Sequence, residues 1–167
     1  RLTTLAGVSY VIVNGEEKAE TSSTLTYSYN VDGSTGLTLN WLRYIYDSNT
    51  GRLKEIKKGL PNPEQIAFLK EFSRTINNPE IDAVLSRVNY REINVISIGS
   101  DSFGNSSLTL ENDQYLNPED WGGKVLVERS LTTTYIVNID GSLGKTLSRK
   151  RNEYTDGTET DLSGTQI

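Results

Sequence analysis

The chain contains no histidine, no cysteine and no methionine. Without cysteine there is no disulfide, no thiolate nucleophile and no sulfur-based metal centre. Without histidine the commonest general base near neutral pH is missing, and so is the commonest ligand for zinc, copper and haem. A serine–histidine triad and the usual metallohydrolase site are therefore excluded by inventory. No stretch approaches the roughly 18 consecutive apolar residues of a membrane span. Neither a Gly-x-Gly-x-x-Gly turn nor a phosphate-binding Gly-x-x-x-x-Gly-Lys-[Ser/Thr] loop occurs, so the sequence supports no nucleotide cofactor, and none of any kind is expected. The net charge of −5 argues against nucleic acid as the main partner, because duplex binding rests on clustered Lys and Arg. Phenylalanine is scarce, with three residues against nine tyrosines, a balance that suits half-buried sheets better than a large helical core.

What the chain has instead is a hairpin written twice. Residues 22–46 and 130–154 align without a gap, and thirteen of the twenty-five aligned positions are identical. The shared text reads S-x-T-x-T-Y-x-x-N-[VI]-D-G-S-x-G-x-T-L, followed by Arg43/Arg151 and Tyr46/Tyr154. Most identities fall where backbone geometry is set. Asp32-Gly33 and Asp140-Gly141 are expected to supply the positive φ of a tight hairpin turn. A repeated shape without repeated chemistry speaks for architecture.

Around the repeat, periodicity places the remaining elements. Val8, Tyr10 and Ile12 alternate with Ser9, Val11 and Val13 ahead of an Asn14-Gly15 turn. Leu37–Tyr46 carries apolar residues on both faces, as a central or covered strand does. Arg52–Lys58 reads as a short polar strand. The period then changes: Asn62-Pro63-Glu64-Gln65 is a helix start, with Asn as N-cap, Pro at the first position and Gln at the third to reach back. Ile66, Leu69, Phe72 and Ile76 follow at helical spacing. A second Asn-Pro-Glu at 78–80 opens another helix through Ile81, Val84, Leu85 and Val88. The helices are expected over Pro63–Asn77 and Pro79–Val88, and a third Asn-Pro-Glu at 117–119 opens a single turn ending at Trp121. Strands resume at Arg91–Ile98 and Leu108–Leu110, and Lys124–Ile139 is long enough to require a bulge or bend near Ser130. The expected architecture is α+β and β-dominated. It is a mostly antiparallel sheet built from hairpins, with two consecutive helices on one face. Residues 1–157 form one domain with a helical insert at 62–88, and residues 158–167 form a polar tail.

Tyr44-Ile45-Tyr46-Asp47-Ser48-Asn49-Thr50-Gly51-Arg52-Leu53 resembles the YD repeat of large β-shell proteins, Y-x-Y-D-x-x-G-R-L, with one extra residue in the turn. The resemblance covers ten residues and implies a Tyr-flanked hairpin; no function is carried over from it.

Each candidate chemistry has a mechanical counterpart. Glu119-Asp120 beside Trp121 could form an acid/base site, since an aromatic wall raises a carboxyl pKa. Acidic residues also belong in a first helical turn, where they complement the dipole. Ser142-Leu143-Gly144-Lys145 matches Ser-x-x-Lys but follows a hairpin turn rather than opening a helix. The loops at Asp32, Asp101 and Asp140 lack the ligand spacing of an EF-hand. Asn105-Ser106-Ser107 has the form of a glycosylation sequon. Lys54/Lys57/Lys58 and Arg149-Lys150-Arg151 are the basic runs; on a strand, Arg149 and Arg151 share a face, which reads as a solvated edge. Tyr27, Tyr29, Trp41, Tyr44, Tyr46 and Trp121 offer large contact area with a polar tip, suited to protein interfaces or sugar stacking, and equally to an amphipathic sheet core.

The reading these features support is a non-enzymatic structural or assembly subunit of the virion, filament or surface-layer type. It would act through protein partners, self-association included. The alternative is a secreted carbohydrate- or protein-binding module, and a small carboxylate-dependent hydrolase stands third. An extracellular, cell-surface or virion location is compatible with all three.

Overall fold

A computed structural model describes residues 1–154, and the polar tail expected at 158–167 lies outside them. Eight strands, two α-helices and one 3₁₀ turn build it. In chain order the strands are β1 (Leu2–Val13), β2 (Glu16–Tyr29), β3 (Thr35–Tyr46), β4 (Leu53–Lys57), β5 (Val95–Ser100), β6 (Ser106–Tyr115), β7 (Val127–Val137) and β8 (Leu143–Arg151). Helices α1 (Pro63–Ile76) and α2 (Pro79–Leu85) lie between β4 and β5. The sheet is antiparallel throughout, in the order β1-β2-β3-β5-β6-β7-β8. β4 shares the far edge of β3 with β5, pairing Arg43–Tyr46 while β5 pairs Thr35–Asn40. Among the described residues, β1 and β8 end this order and each pairs on one side only.

Three hairpins in series make up most of this sheet, and all three turn at the same end. In the β2–β3 turn the Gly33 N–H donates to the Asn30 carbonyl at 3.0 Å, and the Asn30 N–H donates to the Ser34 carbonyl at 2.9 Å. In the β7–β8 turn the Gly141 N–H donates to Asn138 and the Asn138 N–H to Ser142, both at 2.9 Å. Gly33 and Gly141 have φ of 86° and 85°. The duplicated text therefore encodes duplicated geometry, with one correction. Asp and Gly are not the central pair of a two-residue turn. Each loop is a type I turn followed by a left-handed glycine, the three-residue hairpin that ends in a bulge, so only the glycine has positive φ. The true two-residue turn is Asn14-Gly15, where both residues are left-handed at 51° and 77°.

The third member escaped the sequence alignment. Asp101–Asn105 closes β5–β6 with the same bonds, Asp101 N–H to the Asn105 carbonyl at 2.9 Å and Gly104 N–H to the Asp101 carbonyl at 3.3 Å, with Gly104 at φ 92°. The pairs Leu25/Leu39, Ile96/Leu110 and Thr133/Leu147 occupy equivalent rungs.

Both helices pack on one face. Leu25, Leu37, Leu39, Trp41, Ile96, Ile98, Leu108 and Val137 form one buried cluster with Leu69, Phe72, Ile81 and Leu85. Asn62 caps α1 by accepting the Glu64 N–H at 2.9 Å. Gln65 does not reach back to close a capping box. Its buried amide donates to the carbonyls of Leu5 and Ser23, both at 3.1 Å, and accepts the Ser23 hydroxyl, pinning α1 to the sheet. α1 ends at the left-handed Asn77 (φ 56°), and α2 stops at Leu85, short of Val88. Residues 91–94, expected as strand, form a turn ahead of β5. The irregularity expected near Ser130 lies one rung away, where Gln114 pairs with Arg129 but Tyr115 with Val127. No described helix is long and apolar enough to cross a membrane.

Candidate interface surfaces

Side chains alternate across a strand, and this parity separates the aromatic residues that stand together in the sequence. Tyr27, Tyr29 and Trp41 point to the helical face. Tyr27 packs on Phe68 and Tyr29 on Phe72, with centroids 4.7 Å and 5.7 Å apart. Trp41 is fully buried, 5.8 Å from the Tyr90 ring, and its indole N–H donates to the Tyr90 carbonyl at 3.3 Å. Tyr44 and Tyr46, three and five residues beyond Trp41, face the other way. There the Tyr46 hydroxyl donates to the Ala19 carbonyl at 2.6 Å. Trp121 lies edge-on to Tyr154 at 6.1 Å, and Tyr154 donates to the Val127 carbonyl at 2.7 Å. The six residues thus divide between two faces, and Tyr29 is the one of the first-hairpin group left well exposed on the helical side.

The acidic candidates resolve into structural roles. Glu119 and Asp120 are exposed on the first turn of the 3₁₀ segment Pro118–Trp121. The Asp loops use their carboxylates on themselves: Asp32 accepts the Ser34 N–H at 2.9 Å, Asp140 the Ser142 N–H at 2.9 Å, and Asp101 the Phe103 and Asn105 N–H groups at 2.9 and 3.0 Å. These bonds, led by the Ser34, Asn105 and Ser142 side chains, hold all three carboxyls below the ordinary aspartate value. Ser142 accepts the Asn138 amide at 2.8 Å, while the Lys145 ammonium sits 5.4 Å from the Tyr135 ring.

A pair that sequence reading missed is more enclosed. Glu111 and Asp113 lie two residues apart on β6 and so share the face opposite the helices. Asp113 is buried, accepting the Ser130 hydroxyl at 2.5 Å, and its N–H donates to the Asn94 side chain at 2.8 Å. Burial first, and then the Asp113 charge, raise the Glu111 carboxyl above its usual value. Burial likewise pushes the neighbouring Tyr115 hydroxyl up to about 12. Glu-x-Asp on an alternating strand was the available signal. Because Asp113 is fully engaged in cross-strand bonds, the pair clamps β6 to β7 and to the turn before β5.

Among the described residues, β1 and β8 end the strand order and pair on one side only, and the chemistry of these two edges differs. In an antiparallel ladder only alternate residues bond to the neighbouring strand; the rest direct N–H and C=O outward. Arg1 exchanges both bonds with Tyr29, at 2.6 and 3.0 Å. Leu2, Thr4, Ala6, Val8, Tyr10 and Ile12 are therefore the outward residues of β1. Not one of the twelve residues of β1 is charged. Leu2, Tyr10 and Ile12 are 71%, 59% and 67% exposed, all on the face without helices. On β8, the bonds Asn138–Ser142 and Asn152–Glu128 fix the phase. Leu143, Lys145, Leu147, Arg149 and Arg151 point their backbone groups outward. Every residue of β8 is exposed, and four of the nine are cationic.

No protein-family model matches this chain, and neither a curated protein nor a solved structure does.

Proposed function

We propose that the chain is a non-enzymatic structural subunit that assembles through protein–protein contacts, and that its self-association runs through β1. The observation that carries this reading is the length and neutrality of that edge. A long, flat, apolar strand edge is a template for further pairing, and soluble proteins ordinarily blunt it with charge, proline or a covering loop. β1 has none of these among the described residues, and its one irregularity is the bulge of the β1–β2 ladder at Ser9/Tyr10. β8 has charge in abundance, so two copies of β8 repel.

A two-fold axis beside Gly7 satisfies the β1 edge. It sets Ala6 against Val8, Thr4 against Tyr10 and Leu2 against Ile12 of the second copy, each pair exchanging two backbone bonds. Leu2, Val8, Tyr10 and Ile12 from both copies then form one apolar band. The experiment is light scattering or native mass measurement over a wide concentration range, with Val8→Lys and Ala6→Pro. Both changes lie on the outward side and spare the β1–β2 ladder. The wild type is expected to associate, and each variant to dissociate at concentrations at least about tenfold higher, a difference of about 1.4 kcal/mol. A wild type that stays monomeric throughout sinks the assembly reading. Association unaffected by either substitution keeps assembly and removes β1 from it.

A further inference from the structure

We infer that β8 is a docking edge for an extended acidic segment of a partner protein, bound as an added strand. This interface is separate from β1 and does not depend on self-association.

Three observations converge. First, Arg129 and Arg151 stand directly opposite each other on β7 and β8. The bonding phase makes theirs a non-hydrogen-bonded pair, the type in which side chains approach most closely. Like charges so placed destabilise a sheet. Arg149 adds a third guanidinium one pleat away on the same face. The ion pairs of the described residues, Lys18–Glu16, Arg43–Glu20, Lys57–Glu55 and Arg74–Glu71, leave this group without an acid.

Second, the three arginines border a shallow cavity of ≈ 390 Å³ together with Asn112, Gln114 and Leu131. The Asn112 side-chain oxygen there is buried with no hydrogen-bond partner among the described residues. A cavity bordered by three guanidinium groups fits a ligand that carries carboxylates.

Third, the residues that present these cations also present backbone groups unpaired among the described residues. Lys145, Arg149 and Arg151 direct their N–H and C=O groups away from β7. A strand laid along β8 would therefore bond to their backbone, and its alternate side chains would fall beside their charges. Strand addition of this kind takes affinity from the main chain and specificity from every second side chain. Acids at every second position satisfy both demands. The cations that keep β8 from pairing with itself thus select its partner. β1 of a second copy, which carries no acid, does not meet the requirement.

The test titrates the full-length protein with a synthetic peptide of alternating Thr and Glu, against a peptide of the same composition with its Glu residues in one block. The alternating peptide is expected to bind at least about tenfold more tightly. Arg149→Glu combined with Arg151→Glu should abolish binding. Leu147→Pro keeps every cation and removes an outward N–H that β7 does not use, so it should weaken binding at least about tenfold while leaving the fold intact. N-methylation of alternate peptide amides asks the same question without altering the protein. Equal binding of the two peptides, or binding indifferent to both Leu147→Pro and N-methylation, overturns strand docking and leaves a general anion patch. So does preference for a sulfated polysaccharide. No peptide binding at millimolar concentration overturns the proposal entirely.

Discussion

The two copies of the duplicated hairpin share a turn, a register and a length, yet one is the middle of the protein and the other its margin. In β2–β3, Leu25, Leu37, Leu39 and Trp41 belong to the cluster shared with α1 and α2 and are almost completely buried. In β7–β8 the equivalent positions are Thr133, Lys145, Leu147 and Arg149; Leu147 is 54% exposed, and the whole of β8 faces solvent. The local code for turning the chain is separable from the code for burying it. Asn, Asp, Gly and Ser set the turn in both places. What differs is the residue type on the rungs, and that follows whether a helix covers the rung.

The sharpest way to break the comparison is to make one change at one repeat position in both copies. Leu39 and Leu147 are such a pair. Leu39→Ala should cost about 2–5 kcal/mol, the range for emptying a packed core site. Leu147→Ala should stay within about 0.5–1 kcal/mol, as surface changes do. Denaturant unfolding of the two variants checks this. Similar losses at both positions would mean that β8 is covered in solution by something that buries Leu147 as Leu39 is buried.

A smaller effect should be equal in the two copies. Gly33 and Gly141 sit at φ near 85°, where a β-branched residue is strained whatever the space around it. Gly33→Val and Gly141→Val should each cost about 1–3 kcal/mol. Hydrogen exchange sharpens the point. If the β7–β8 hairpin opens independently of the core, Gly141→Val will raise exchange only on β8, and its cost to global unfolding will fall below that of Gly33→Val.

Much of this was legible because it is local. Asn-Pro-Glu marked the start of both helices and of the 3₁₀ turn, and the period-two and helical patterns located most strands and both helices. Local signals could not order the sheet, since the partner of β3 arrives only after α1 and α2. The β5–β6 hairpin went unseen for a definable reason. Its Asp stands first in the loop, at Asp101, rather than third as in Asp32 and Asp140, so the text does not align although the turn does. The apolar alternation of β1 reads as a half-buried strand; that its apolar side would be the face without a helix depends on register. The opposition of Arg129 to Arg151 also needs the register, and the run Arg149-Lys150-Arg151 showed only two of the three clustered arginines. Parity alone separates Trp41 from Tyr44, and the sequence reading of Leu37–Tyr46 already set them on opposite sides of the strand.

The smallest expected effect concerns the shared turn aspartates. Asp32 and Asp140 are held below the ordinary aspartate value, first by the Ser34 and Ser142 side chains and then by the N–H groups of the same residues. A carboxyl whose folded value is depressed contributes stability above the unfolded value, about 4, and loses that contribution as pH falls through the folded value. Asp32→Ala and Asp140→Ala should therefore lower the melting temperature near neutral pH, by similar amounts because the two loops bond alike. The difference from wild type should shrink on acidification through the carboxylate range. Thermal melts of both variants across that range test the claim. A penalty that persists unchanged in acid would mean that the turns need aspartate for its backbone preference rather than for an ionised acceptor. A penalty at Asp32 alone would show that the β7–β8 turn contributes nothing to global stability, and the equivalence of the two hairpins would then end at their geometry.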